Sequence, residues 1–476
     1  MLPNMQLLEV VLFLLMCAAL LGWLARRLHF PYPISLVMGG AALGFIPNLP
    51  ELPFDPQFIL VLVLPPILYQ AALLTSWRDF RANLRPIGLL AIGLVIVTTL
   101  AVGLTLKALV PDIPWAAAFV LGAIVSPPDA VAATAILSRL SVPRRVVTIL
   151  EGESLVNDAS GLVIYKFAVA AVMTGAFSLV DASVQFMGVA LGGIVIGMVL
   201  AVLFVAIHKR LGDTLIEVLA TLSAPYVAYI LAESLHVSRV LAVVAAGLVR
   251  GRYAPAIVSA EMRIVARSAW NLLVFLLNSL VFILIGLQLS EIVERMGGTS
   301  LSGLIVDGVL VSLVAVVVRF AWIYPAAWIE RALGGEGEKA MPGKQLAIMS
   351  WCGMRGIVSL AAALALPLVL PSGDPFPQRD LIVFLTFVVI FATLVVQGLT
   401  LSPLIRWLKV GQDWSLLAEH KLAREALGGA AAAAIGRLAQ SENAPPELVE
   451  RILAEFSDKI AHATADAGEH TASGPR

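Results

Sequence analysis

Charge is scarce in this chain: Asp, Glu, Lys and Arg make up 13% of its 476 residues, where a soluble domain carries about 25%. Cysteine is scarcer. Cys17 and Cys352 lie far apart in apolar segments, which excludes a disulfide framework and a cysteine-based metal centre. The 32 basic and 32 acidic residues balance, and no basic tract is present, so nothing points to nucleic acid. Neither His-Glu-x-x-His nor Gly-x-Gly-Asp occurs, so the signatures of a membrane zinc protease and of an intramembrane aspartyl protease are missing. No repeated filter loop of the kind channels use is evident. No enzymatic activity and no cofactor are expected.

What is present is apolar surface. Hydrophobic residues reach 59% and the mean hydropathy is +0.93. Apolar segments at about 5–25, 32–47, 56–75, 86–110, 115–138, 146–174, 183–207, 214–233, 238–250, 268–290, 301–328, 345–370 and 380–408 include many of roughly the 20 residues a spanning helix needs. They predict an all-α integral membrane protein of about thirteen transmembrane helices. The first segment has its positive charges after the apolar run and no small-residue cleavage site, so it reads as a retained span and not a signal peptide.

Basic residues alternate with these spans. Connections after odd-numbered spans, from Arg26 and Arg27 to Arg406 and Lys409, hold nineteen Lys and Arg; the others hold Lys107, Arg239, Arg295 and Arg379. The run after span nine includes Arg250, and Arg139 and Lys339 also belong to the richer set. Basic connections stay in the cytoplasm, which places the N-terminus outside and the C-terminus inside. Residues 410–476 form a cytoplasmic tail, partly helical: Leu448, Ile452, Phe456 and Ile460 recur every fourth residue after a Pro-Pro start. The last dozen residues read as disordered.

Ionisable residues inside a membrane cost about 2.5–3.5 kcal/mol each on the insertion scale, so each needs a use or a partner. In "LEGESLVNDASGLVIYKFAVAAV", Leu150–Val172, Asp158 lies roughly 20 Å along a helix entered at Arg144, near mid-bilayer. Glu151, Ser154 and Asp158 share one helical face, and Glu153 and Asn157 the neighbouring one. Lys166 lies about 12 Å beyond Asp158, out of reach of a direct ion pair. The preceding span holds "GAIVSPPDAVAATAIL", where Pro127 and Pro128 remove two backbone donors beside Asp129. Freed carbonyls and a carboxylate are hard oxygen ligands, and broken backbone at membrane depth belongs where it lines a cavity. The twelfth span, "SWCGMRGIVSLAAALALP", places Gly353, Arg355 and Gly356 at mid-membrane and predicts a second break, with the guanidinium bound to an acid or to free carbonyls. Breaks in corresponding halves point to inverted repeats, here spans one to six and eight to thirteen with the seventh as linker. Arg319, in "VVVRFAWIYPAAW", is expected to snorkel to the interface.

The run "SPPDAVAA…EGESLVNDASG" with "GMRG" downstream resembles the bacterial sodium/proton antiporters of the monovalent cation:proton antiporter-1 family, relatives of the animal sodium/hydrogen exchangers. The resemblance covers Leu7 to about Leu408. It implies two inverted six-helix repeats with two broken helices crossing in the core. It also implies a homodimer and an elevator-like motion of core helices, about 86–174 and 301–408, against dimerisation helices, about 5–75 and 214–290, with a linker helix at about 183–207. It casts Asp158 as the cation- and proton-carrying carboxylate, with Asn157 beside it, Asp129 in support and Ser154 as a hydroxyl ligand. Glu153 and Arg355 resemble the family's structural ion pair. Asn157, where some relatives have a second aspartate, resembles the electroneutral branch. Two features depart from the family pattern. Pro127 and Pro128 stand where a threonine often precedes the aspartate, and "FILVLVLPPILYQAAL" ends its Leu-Pro-Pro stretch on Gln70 instead of an acid. Gln70, Lys166 and Glu151 are possible modulators.

The expected activity is exchange of a monovalent cation, sodium first, for protons across the bacterial inner membrane by alternating access, serving pH and sodium homeostasis. Asp158 and Asp129 would hold the transported sodium only, and the partners are cations, protons, lipid and a second copy. A potassium/proton exchanger is the alternative, and a cation channel a more remote one.

Overall fold

The computed structural model describes residues 3–28, 30–46, 56–137, 140, 142–175, 179–295, 301–333, 341–410, 414–441 and 445–455. They are helical nearly throughout, with no strand among the described residues. The chain divides into two compact units, one of residues 1–140 and 145–410 and one of residues 141–144 and 411–476.

Apart from a short helix, Trp77–Ala82, and with Arg144 at the head of α7 counted in the second unit, the helices of the first unit are α1 Pro3–Arg27, α2 Tyr32–Gly44, α3 Pro56–Leu74, α4 Leu84–Leu109, α5 Trp115–Val125, α6 Ala130–Leu137, α7 Arg144–Thr174 and α8 Leu179–His208. They continue as α9 Thr214–Ser234, α10 Arg239–Ile257, α11 Ala260–Arg295, α12 Leu301–Leu333, α13 Gly343–Trp351, α14 Ile357–Leu364 and α15 Arg379–Leu408. All thirteen expected segments are found as helix, with α5–α6 and α13–α14 as the two halves of broken spans. Eight spans among the described residues are long and apolar enough to cross a membrane. The segment expected at 238–250 is α10, longer than its apolar run. Arg250 is therefore inside a helix, not in a connection. It is buried, with Nη2 3.4 Å from His208 Nε2, and His208 lies 3.2 Å from the Glu217 carboxylate. Arg139 and Lys339 lie outside the described residues.

Some helix starts are capped from side chains, which satisfy N–H groups left without a helical partner. Asp213 accepts from the Leu215 and Ile216 N–H groups at the head of α9, and Ser238 from Leu241 N–H at the head of α10. Proline pairs act according to context. Pro65-Pro66 stays inside α3, where Tyr226 Oη donates to the Leu62 carbonyl that Pro66 leaves free. Pro127-Pro128 opens a gap between α5 and α6.

Helices α1–α3 and α8–α11 pack chiefly on one another, and α4–α6 pack with α12–α15. Backbones approach closely where α2 meets α11 and where α8 meets α10: a Cβ on Gly40 would stand 2.2 Å from the Ile283 carbonyl oxygen, and one on Gly197 2.2 Å from that of Ala242. Small residues of this kind let membrane helices meet backbone to backbone.

The second unit contains α16, Trp414–Ser441, and a helix over residues 446–455 that holds Leu448 and Ile452. Phe456, Ile460 and the last dozen residues lie outside the described residues.

Candidate cation site at two broken helices

The site is built by accounting for backbone groups that two gaps set free. Proline at 127 leaves the Ala123 carbonyl without its helical donor, and Ser126 Oγ donates to it at 3.1 Å. The Val125 carbonyl accepts from Arg355 Nε at 2.8 Å, and the Pro128 carbonyl from Asn157 Nδ2 at 2.9 Å. Asp129 turns its N–H the other way, to the Met354 carbonyl at 2.7 Å. That bond joins the two gaps directly. In the second gap, residues 352–356, Arg355 N–H donates to Thr393 Oγ1 at 3.1 Å and its Nη1 to the Gly353 carbonyl.

Asp129 also caps α6, with Oδ1 accepting from Val131 N–H at 2.8 Å. Its other oxygen lies over Gly356, where a Cβ would stand 1.8 Å from Oδ2. Only glycine admits the carboxylate there. The next N–H, on Ala130, donates to Ser154 Oγ at 3.3 Å, so α7 holds the gap through Ser154 and Asn157 together.

Asp158 follows Asn157 on α7 and is buried. No hydrogen-bond donor among the described residues serves the Asp158 carboxylate. Asn157 is buried, and its Oδ1 has no partner either. Buried oxygens without donors are costly, and these, with Asp129 Oδ2, are hard ligands for a small cation. Two carboxyl groups in one buried site repel when both are ionised, so the pair gains by taking up a proton or a cation. Among the described residues no three His, Cys, Asp or Glu side chains gather as a resident metal centre.

Two expectations are corrected. Glu153 pairs with Arg319, not with Arg355: Nη1 and Nη2 of Arg319 reach Oε1 and Oε2 at 2.5 and 2.7 Å, and its Nε donates to the Met349 carbonyl at 3.1 Å. Both side chains are 1% exposed, so Arg319 does not snorkel. The reason is competition. Arg355 is taken up by carbonyls of its own gap and of the first, whereas α12 brings a planar fork that matches the carboxylate.

The remaining candidates stand apart from this arrangement. Gln70 Nε2 donates to Asn271 Oδ1 at 3.2 Å on α11, Lys166 is exposed further along α7, and Glu151 is half-buried at its start. Sequence reasoning missed the contribution of Thr393, one of several hydroxyl residues in its span, with no local feature to single it out.

Comparison with known proteins gives the family and the fold. Residues 13–407 match the family described as "Sodium/hydrogen exchanger, transmembrane". An uncharacterized Na(+)/H(+) exchanger of Mycobacterium tuberculosis is 35% identical over 473 residues, covering 98% of this chain and 86% of its own. The "Sodium, potassium, lithium and rubidium/H(+) antiporter" of Bacillus subtilis is 35% identical, covering 84% of this chain and 62% of its own. In structure, the chain superposes on the sodium proton antiporter MjNhaP1 of Methanocaldococcus jannaschii with a TM-score of 0.68 at 18% identity, covering 85% of this chain and 99% of that one. The fold is that of an antiporter, and the chain belongs to the sodium/hydrogen exchanger family of multi-pass membrane cation/proton antiporters.

Proposed function

We propose that this protein exchanges sodium for protons across the bacterial plasma membrane, with Asp158 as the group that carries either one. The observation that carries the reading is the Asp158 carboxylate itself: buried on an intact helix, beside two gaps bonded to each other, and served by no donor. A sodium ion gains ligands from Asp158, Asp129 and the free Asn157 oxygen. A proton neutralises Asp158 in its place. Either loaded form crosses as a neutralised site, whereas the empty carboxylate faces the desolvation penalty, and that difference couples the two movements. Alternating access of α4–α7 and α12–α15 against the other helices would expose the site to each side in turn.

The alternation of basic connections supports an outside N-terminus and a cytoplasmic C-terminus. The family resemblance supports a homodimer, and a neutral asparagine at 157 supports electroneutral exchange. The same activity run in a cell would serve pH and sodium homeostasis.

The test is dequenching of a pH-sensitive dye in everted vesicles on adding sodium, lithium or potassium. Dequenching by sodium and lithium that disappears in Asp158→Asn supports the reading; unchanged exchange in that variant contradicts it. Potassium/proton exchange is the second reading. Gln70 in place of an acid, and the cations in the name of the Bacillus subtilis relative, favour it, and dequenching by potassium would establish it.

A further inference from the structure

Gln397 is a buried amide inside an apolar helix. It is 2% exposed, and neither Oε1 nor Nε2 has a hydrogen-bond partner. A carboxamide has two donors and an acceptor oxygen, and leaving all of them empty in a desolvated place is unfavourable. An apolar side chain of similar size would pack there without that penalty. Gln397 also ends a stretch, Thr393–Gln397, where α15 widens into a π-type turn, a distortion frequent at functional sites.

Neighbours fix the direction it faces. Thr393, Gln397 and Thr400 recur at four and then three residues, which is one helical face. Thr393 Oγ1 accepts from Arg355 N–H, and Thr400 Oγ1 accepts from Trp351 Nε1 at 2.9 Å. Both donors belong to the second broken span, Trp351 at the end of α13 and Arg355 within the gap. Gln397 lies between these two contacts, on the face that α15 turns toward that span. The following residue marks a seam: a Cβ on Gly398 would stand 2.7 Å from Ile34 Cδ1 of α2 and 3.8 Å from Ile136 Cδ1 of α6. Helix α6 is the one that leads away from Asp129.

We propose that the Gln397 carboxamide is a second, neutral station for the transported monovalent cation, on the face of α15 turned toward the second broken span and apart from Asp129 and Asp158. The proposal rests on the exchange reading above and deepens it. Its Oε1 is a hard oxygen that a partly dehydrated sodium or lithium ion can take up, and its NH2 can donate to the water such an ion still carries. Neutrality matters. A charged ligand there would trap the ion, whereas a dipole offers enough to lower the barrier and lets go. A cation displaced from Asp158 by a proton then meets an oxygen before it meets bulk water.

The test uses the full chain reconstituted in liposomes, with Gln397→Leu and Gln397→Asn beside the parent and Asp158→Asn. Sodium, lithium and potassium chloride are the probes. The expected result is an apparent KM for sodium raised roughly five- to tenfold in Gln397→Leu, the scale of one lost polar contact. The maximal rate should stay near that of the parent, with partial recovery in Gln397→Asn. An unchanged KM for all three cations, or a lower maximal rate at unchanged KM, would overturn the proposal and leave the Asp158 assignment standing. Should Gln397→Leu fail to fold, Gln397→Asn alone decides: a parental KM there overturns it. Undiminished exchange in Asp158→Asn would remove the exchange reading, and the station with it.

Discussion

Arg319 holds both oxygens of Glu153, at 2.5 and 2.7 Å, between two helices whose sequence positions are 166 apart. Each side chain is 1% exposed, so neither charge can turn to water if the other is lost. The pair ties α7, which carries Asp158, to α12, and through the Met349 carbonyl to the end of α13. It fixes the site's frame without touching the transported ion.

Removing one partner leaves the other charge buried and unpaired, at a cost of about 3–5 kcal/mol. Arg319→Ala and Glu153→Ala should each lower the melting temperature in detergent sharply. Replacing both residues by apolar ones should cost less than either single change, because no naked charge remains. Two single losses that simply add in the double variant would show that the two side chains do not depend on each other.

Gly356 is where the carboxylate of Asp129 meets the second gap. A methyl group there would stand 1.8 Å from Oδ2, so Gly356→Ala must push Asp129 out of place or widen the junction. Exchange should fall by about a hundredfold, the scale of an approximately 1 Å misplacement. Yield and oligomeric state on a sizing column should stay close to the parent's. A variant that exchanges at the parental rate would mean that Asp129 does not have to occupy this position.

Asn157 donates to the Pro128 carbonyl at 2.9 Å and keeps Oδ1 free. Asn157→Ala loses both functions. Stability should drop by about 1–3 kcal/mol, because the Pro128 carbonyl stays buried without a donor, and the apparent KM for sodium should rise. Thermal melts and transport read these two effects separately. A fall in stability with an unaltered KM would assign Asn157 to the scaffold of the gap alone.

Much of the architecture was legible in the sequence, because the signals are local. Apolar length gives the spans, Pro127-Pro128 gives the first gap, and Gly353 and Gly356 around Arg355 give the second. The spacing of Ser154, Asn157 and Asp158 on one helix also put them on adjoining faces, and the structure brings all three to the first gap. What the sequence did not reveal depends on which helices cross. Arg319 has aromatic neighbours and stands a few turns from Arg331, the pattern of a snorkelling arginine, and only the packing of α12 on the core turns it inward. For Arg355 the flanking glycines already offer freed carbonyls as an alternative to an acid, and the carbonyls of residues 125 and 353 take it; that one of them belongs to the first gap depends on how the two spans cross. Gln397 is silent in the sequence for a different reason: charge marks a costly residue, yet a neutral amide with no partner is costly too.

The central claim is that one carboxylate, Asp158, takes a sodium ion or a proton but not both. The measurement that meets it most directly is the apparent KM for sodium of the reconstituted protein as a function of pH. Direct competition makes KM rise as pH falls, approaching about tenfold for each pH unit on the acid side, while the maximal rate at saturating sodium stays level. A KM that does not move with pH, with the proton acting on the maximal rate alone, would place the two ions on separate groups and contradict the account.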